Sequence, residues 1–261
     1  MEKKSPDTTD AGLTGWAKPE ARLREAFEKN EFELYCQPIL ALSGDERYPM
    51  GEVLVRMQEE EQAMLPPGEF LPVLEHYNMM PLLDRWVVSN LAKHLAKGSR
   101  LPCFTVNVSG QTLADQEFPK YVAAALKAEG VPVDSLVFEI EEADVLQREA
   151  LVRRFVAAMK VVGAGVLIDG FGRKAVSFTP LKSVGAHFVK VDGSIVRKIL
   201  SSEVARTKLN AIIRVGHAID LKVIAECVEE QEVLDKLRAL GVGYAQGFGI
   251  VKPQPIGTFA K

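Results

Sequence analysis

The chain has 261 residues, 47% of them hydrophobic and 26% charged, a balance that excludes a wholly disordered protein and a length that suits one α/β barrel or two smaller domains. Lys and Arg number 32 against 35 Asp and Glu, a net charge of −3. That excludes a general binder of nucleic acid or anionic membranes, so any phosphate must be recognised by a local site.

Residues 1–16 are polar and rich in Thr, Asp and Gly, which predicts a flexible tail or linker. No apolar stretch follows their lysines, so they do not read as a secretory signal. One domain is expected over 17–256, with 257–261 as a C-terminal tail. ARLREAFEKN, with Leu23 and Phe27 four apart, predicts a helix. Short β-branched or apolar runs then alternate with helical stretches. The runs are FELYCQPIL (32–40), GEVLVRM (51–57), CFTVNVS (103–109), LVFEIEE (136–142), GVLIDGF (165–171), HFVKVDG (187–193), KVIAECV (222–228) and GYAQGFG (243–249). Between them FLPVLEHY, LDRWVVSNLAKHLAK, YVAAALKAEG, LVRRFVAAMKVVG, TKLNAIIRVGHAI and QEVLDKLRALG carry helical apolar spacing, and several end at Gly. Strands alternating with helices in a chain of this length predict a (β/α) barrel, with a doubly wound open sheet as the runner-up. Only LSGDERYPM separates the first two runs, so they can pair antiparallel and make the barrel irregular at its start.

No run approaches the ~20 apolar residues of a membrane helix. Cys36, Cys103 and Cys227 are widely spaced with no CxxC. They argue for a reducing, cytoplasmic setting and against a disulfide framework or zinc finger.

The strand ends carry the informative pattern. Gln37, Glu52, Asn107, Glu139, Asp169, Lys190, Glu226 and Gln246 are single polar residues inside otherwise apolar runs. Because side chains alternate along a strand, Glu139 shares a face with Val137, Asp169 with Leu167 and Glu226 with Ile224. These polar groups are therefore expected to point inward at the C-terminal mouth of the barrel, where barrel active sites collect. Glu52, Asn107, Glu139, Asp169 and Glu226 are all oxygen donors, and the carboxylates would repel one another without cations between them. Oxygen ligands without Cys, and four histidines that form no HxxxH pair, favour Mg²⁺, Mn²⁺ or Ca²⁺ over zinc. Two such ions ~3.5–4 Å apart suit phosphoester hydrolysis. Lys190 adds a cation, and Arg56, on the face of Glu52, can reach a phosphate.

Taken singly, each residue has a plainer reading. Lys190 could be a surface lysine, Asn107 a loop cap, Cys227 and Trp86 core residues, and His187, on the face opposite Lys190, a residue packed against helices. No GxGxxG, GxxxxGKS or GxSxG motif occurs. It is the recurrence of polar groups at equivalent strand ends that favours a site.

These residues give the chain a resemblance to the EAL domain, the bacterial phosphodiesterase domain for cyclic di-GMP, from about Pro19 to Pro253. YCQPIL (35–40) resembles its first strand. GEVLVR (51–56) stands where Glu-Ala-Leu-x-Arg is usual, FTVNVSGQTL (104–113) resembles its Asn-x-Ser segment, and FEIEE (138–142) its Glu-x-Thr-Glu. VKVDGSIV (189–196), VIAECVEE (223–230) and YAQGFGIVKP (244–253) resemble its Lys-Ile-Asp, Ile-Ala-Glu-Gly-Val-Glu and Gln-Gly-Tyr segments. The resemblance implies a modified TIM barrel. It implies Mg²⁺ or Mn²⁺ held by Glu52, Asn107, Glu139 and Asp169, with Asp169 bridging to a second ion that Glu226 helps hold. Lys190 would position the attacking water, Gln246 would support the water and metal shell, and Glu229 would steady the loop after the strand at 165–171. Arg56 would grip a phosphate, Gln37 would lie near a guanine, and Asp192 would belong to the ligand-binding set. The implied reaction opens cyclic di-GMP to pGpG.

The chain departs from the family at one segment. The usual Asp-Asp-Phe-Gly reads Asp169-Gly170-Phe171-Gly172, and the loop that follows, Arg173–Ser177, differs from Thr-Gly-Tyr-Ser-Ser. Loss of a metal-shell group typically costs ~10–100-fold in affinity or activity. Glu141, on the face of Glu139, restores the lost charge and is expected to offer an oxygen to a second ion. The expectation is a cyclic di-GMP receptor with weak or no hydrolysis. An active phosphodiesterase and a protein-interaction module without nucleotide are the alternatives. The resemblance also admits a homodimer, a signalling partner protein, and covalently linked sensor or cyclase domains.

Overall fold

The computed structural model describes residues 15–44, 47–59, 63–173 and 178–261. Its strands are β1 (Phe32–Ala41), β2 (Met50–Gln58), β3 (Met64–Leu65), β4 (Phe104–Asn107), β5 (Leu136–Glu141), β6 (Gly165–Phe171), β7 (Phe188–Val191), β8 (Lys222–Ala225), β9 (Tyr244–Ala245) and β10 (Gln254–Pro255). From β2 through β4 to β9 the neighbours run parallel. β1 closes the ring by pairing antiparallel with both β2 and β9. The result is an eight-stranded barrel with β3 and β10 added outside it. The antiparallel first strand follows from the short link at residues 42–49, too short for a crossover helix; the open-sheet alternative is excluded by the closure.

The helices are α1 (Pro19–Glu28), α2 (Pro67–His76), α3 (Met80–Ala96), α4 (Phe118–Ala128), α5 (Glu142–Gln147), α6 (Glu149–Val162), α7 (Thr179–Val184), α8 (Gly193–Val196), α9 (Glu203–Ala218) and α10 (Gln231–Ala239). Their apolar stripes, such as Val152, Phe155, Val156 and Met159 on α6, are buried with outward strand residues such as Phe104, Phe138 and Ile168 in one large cluster. A second, smaller cluster fills the barrel itself: Ile39, Met50, Val137, Leu167, Phe188 and Ile224, with Cys103 and Tyr244 against them. This apolar plug is the floor on which the inward polar residues stand, two positions further along the same strands or, on antiparallel β1, two positions earlier.

Two local expectations need adjusting. His187 is exposed at the N-terminal end of β7, where its Nδ1 accepts from the Val166 backbone N–H at 3.1 Å. Trp86 is only partly buried, with its ring near Phe32 and its Nε1 donating to Asn30 Oδ1 at 3.3 Å. At the C-terminal tail, Arg100 N donates to Phe259 O at 2.8 Å, and Ser99 bridges to Ala260.

Candidate functional site

The inward polar layer is assembled by register. Gln37 on β1 lies opposite Glu52 on β2, Asn107 on β4 opposite Glu139 on β5, and Glu141 on β5 opposite Asp169 on β6. At the centre is Lys190, 1% exposed. Its Nζ donates to Glu139 Oε2 at 2.6 Å and to Glu52 Oε2 at 3.0 Å, and lies 3.8 Å from Asp169 Oδ1. Gln246 Nε2 donates to Glu52 Oε2 at 2.7 Å and to Gln37 Oε1 at 2.9 Å, while Asn107 Nδ2 donates to Glu52 Oε1 at 3.1 Å. Gln37 Nε2 in turn donates to the Val251 carbonyl at 2.9 Å. Lys190 is thus an internal cation.

One buried ammonium shared among three carboxylates sets the electrostatics. Burial, and next the Glu52 charge, push Glu139 up to about 8. Burial also opposes ionisation of Glu52, but Lys190 with the Gln246 and Asn107 donors outweighs it and brings that carboxyl below its ordinary value. Burial alone would lower Lys190; the Glu139, Glu52 and Asp169 carboxylates reverse this and raise it well above its usual range.

The outer half of the mouth is built by loops. Glu226 follows β8, and its Oε1 accepts from Gly193 N at 2.7 Å. Burial, then the Asp169 charge, raise its pKa. Cys227 beside it is half-buried with φ +57°, in the left-handed region, rather than a simple core residue. It presses on Gly193, where an added Cβ would lie 2.6 Å from Cys227 Sγ. The chain at Val228 interlocks with the turn after β9: Val228 N donates to Gln246 O and Gly249 N to Val228 O, both at 3.0 Å. A Cβ on Gly247 would collide with the Val228 backbone, so this close approach, which aims Gln246 inward, requires glycine. Gln37, Glu52, Glu226, Glu229, Gln246 and Phe248 are among the residues lining a cleft of about 290 Å³ here.

Gly170 and its neighbours form the remaining wall. The β6–β7 register slips between Ile168 and Phe171, and Gly170 takes φ +67° in this bulge. Glu142 is buried, and its Oε1 accepts from Gly172 N at 3.1 Å, which fixes the turn. Arg173 folds back over Gly170: an added Cβ there would lie 3.2 Å from Arg173 Nη2. Arg173 Nε donates to Asp192 Oδ2 at 2.8 Å, and Asp192 Oδ1 accepts from Ser194 N at 2.9 Å. Although burial opposes it, these donors hold the Asp192 carboxyl below its usual range. Glu141 is exposed, lining a small recess with Asp169, Gly170 and Arg173. Residues 174–177, the rest of the departing loop, lie outside the described residues.

Arg56 stands apart from this cluster. It lies four residues beyond Glu52 on β2, ~13 Å further along the strand, with its guanidinium 5.4 Å from the centre of the Tyr35 ring. The alternation of the strands pointed to the inner group. It did not point to Arg173, the Glu142 latch, Phe248 or Asp84, whose Oδ2 accepts from Ser109 N at 3.0 Å and holds the chain just after Asn107. These sit on loops and helices, where no short period marks an inward face.

The site's chemistry suits a hard divalent cation. Its donors are oxygens, and Glu139 Oε1 and Asp169 Oδ1 are buried without a hydrogen-bond donor, as lone pairs meant for a cation would be. Among the described residues no three acidic, His or Cys side chains form a finished cage; the Lys190 ammonium stands between the carboxylates instead. No described helix is long and apolar enough to cross a membrane.

Comparison with known proteins agrees with this geometry. Cyclic di-GMP phosphodiesterase PdeF of Escherichia coli is 31% identical over 238 residues, covering 90% of this chain and 32% of that protein. Cyclic di-GMP phosphodiesterase PdeB of Shewanella oneidensis is 29% identical over 249 residues, covering 94% and 29%. The chain thus spans about a third of the length of these relatives. Among solved structures, the FimX EAL domain from Pseudomonas aeruginosa bound to c-di-GMP superposes with a TM-score of 0.85 at 30% identity, covering 91% of this chain and 97% of that one. The PaMucR phosphodiesterase in complex with c-di-GMP gives 0.84 at 25% identity, covering 92% and 98%. The EAL domain match extends over residues 20–253, nearly the whole barrel, and the chain belongs to the EAL domain family.

Proposed function

We propose that this chain is a cyclic di-GMP-binding domain of bacterial second-messenger signalling, working in the cytoplasm as a receptor with weak or no hydrolysis. The observation that carries the reading is Gly170: next to Asp169, where the family motif places a second carboxylate, the chain has no side chain and a guanidinium lies over the gap. Members of the family are generally divalent-metal dependent. Glu52, Asn107, Glu139 and Asp169 would hold one Mg²⁺ or Mn²⁺, with Glu226 toward the outer side. Such an ion would neutralise phosphate charge and lower the pKa of a bound water.

This chain's own residues do the rest. Lys190 keeps a positive charge under the rim and holds Glu52 and Glu139 in place. Gln246 fixes Glu52, and Gln37 fixes Gln246 while presenting the edge of the cleft to a base. Arg56, ~13 Å along the strand from Glu52, would meet the second phosphate of a cyclic dinucleotide rather than the one at the metal. Asp192 keeps Arg173 in place, and Glu229 borders the mouth. The intact inner cluster favours one competing reading, a metal-dependent phosphodiesterase that releases pGpG.

Calorimetry with cyclic di-GMP and Mn²⁺, with pGpG followed by chromatography, separates the two. Binding with product formed ~10–100-fold or more slowly than by a complete EAL enzyme is the expected result. Turnover matching that enzyme would overturn the receptor reading, and absence of binding would leave a protein-interaction module.

A further inference from the structure

We propose that the guanidinium of Arg173 is a built-in cation that occupies the outer half of this site in place of a second divalent ion, so that the chain takes up one exchangeable ion and not two. The inference rests on the reading above that the carboxylate rim is a divalent-metal site.

The carboxylates divide into two groups, each with a cation from the chain itself. Glu52, Glu139 and Asp169 surround Lys190. Asp192, Glu141 and Glu226 act on Arg173, which donates to Asp192 Oδ2 at 2.8 Å. An isolated pair with a 60% exposed arginine would contribute little. Here the position is set by the backbone as well as by charge. The turn from Gly170 to Arg173 is closed by Arg173 N donating to Gly170 O at 3.3 Å, and it is anchored by Gly172 N on buried Glu142. That turn returns the side chain over its own start. The guanidinium fits because Gly170 has no Cβ: one placed there would lie 3.2 Å from Nη2 and 3.4 Å from Cζ.

A guanidinium is only a donor and cannot be deprotonated in a protein. It balances the outer carboxylates permanently, and a second dication entering among them would face a fixed positive charge at short range. The other nearby arginine, Arg197, lies beside Cys227 and Gly193 and lines the cleft with Glu226, whereas it is Arg173 that pairs with Asp192 over Gly170.

The test is Mn²⁺ stoichiometry on the whole metal-stripped chain, by calorimetry and by electron paramagnetic resonance, with no turnover required. The wild type is expected to bind one ion, any second being at least tenfold weaker. Arg173→Ala is expected to bind two, with a spin-coupled signal from a neighbouring pair; Arg173→Met, which keeps the aliphatic stem, should do the same. Two ions of similar affinity in the wild type, or one ion in wild type and both variants, would overturn the proposal alone. Absence of Mn²⁺ binding in all three proteins would overturn the divalent-site reading and the proposal with it.

Discussion

Raising the pH should destabilise the metal-free protein, and Glu139 is the reason. The fold favours its protonated form, moving its pKa from 4.5 to about 8. A carboxyl raised in this way contributes stability that is full below its unfolded value and is lost as pH rises through its folded value. At ~1.4 kcal/mol per pH unit, the interval from 4.5 to about 8 bounds the total loss at ~5 kcal/mol. The clean window is pH 7–8; above it Cys36, Cys103 and Cys227, which burial raises from 9.0, ionise in the unfolded chain and add a loss of the same sign. Half-buried His94 and exposed His187 are shifted down from 6.5 by partial desolvation and oppose the trend only below about that value. Lys190, shifted up, keeps its charge, and Glu52 and Asp192, shifted down, titrate in acid. Across pH 7–8 the folded Glu139 is on average about three-quarters protonated and the unfolded one not at all, which gives a loss of about 1 kcal/mol. Urea denaturation in EDTA at pH 7, 7.5 and 8 measures it, with Glu139→Gln as the control that should flatten most of the slope. Stability that is constant or rises over this window, or an equal slope in Glu139→Gln, would refute the picture of three carboxylates sharing one ammonium.

Four single substitutions and one double variant probe the rest of the site. Lys190→Met strands Glu52, Glu139 and Asp169 without their cation and should cost ~3–5 kcal/mol in EDTA, with added Mn²⁺ recovering part of the loss in the same denaturation assay. Gly247→Ala drives a methyl into the Val228 backbone and should cost ~3 kcal/mol, read as a fall in Tm together with weaker cyclic di-GMP binding. Cys227→Gly relieves a left-handed conformation at φ +57° and should stabilise by ~1 kcal/mol, a rise in Tm of ~2–4 °C; an unchanged Tm would mean that the loop absorbs the strain. Gly170→Asp alone should leave hydrolysis low, because the new carboxylate would meet the Arg173 guanidinium. The same substitution combined with Arg173→Ala should raise pGpG formation ~10-fold or more, and an equal gain from the single substitution would count against Arg173 as the obstacle.

The sequence and the fold agree where a short period operates. Alternation on β5, β6 and β8 placed Glu139, Asp169 and Glu226 on the faces of Val137, Leu167 and Ile224, and those three apolar residues are indeed the barrel plug. The same parity brought Lys190 in from β7 and Gln246 from the end of β9. It could not reveal that Lys190 would be so thoroughly enclosed, because burial of the ammonium depends on three strands arriving together. Loops escaped for a related reason. Arg173 reads as one more surface cation until the bulge at Gly170 turns it back over the site, and Cys227 reads as core until its φ is known. Arg56 has the right parity, yet its height along β2 sets it apart from the metal-type cluster; parity fixes a face, and only register fixes a level.

That division bears on how such a domain changes its task. The inner layer is tied to the strands: Glu52 alone accepts from Lys190, Gln246 and Asn107, so removing any of its partners leaves a buried charge less satisfied and destabilises the barrel. The outer layer is tied to turns, where Arg173 is largely exposed and Gly170 contacts little else, so changes there cost the fold little. On the proposed receptor reading, drift from hydrolysis toward binding would begin in the β6 turn and leave the Lys190 cluster in place. Retention of the inner residues is consequently weak evidence for turnover, since stability alone would preserve them; the outer turn is the part of the sequence that speaks to catalysis.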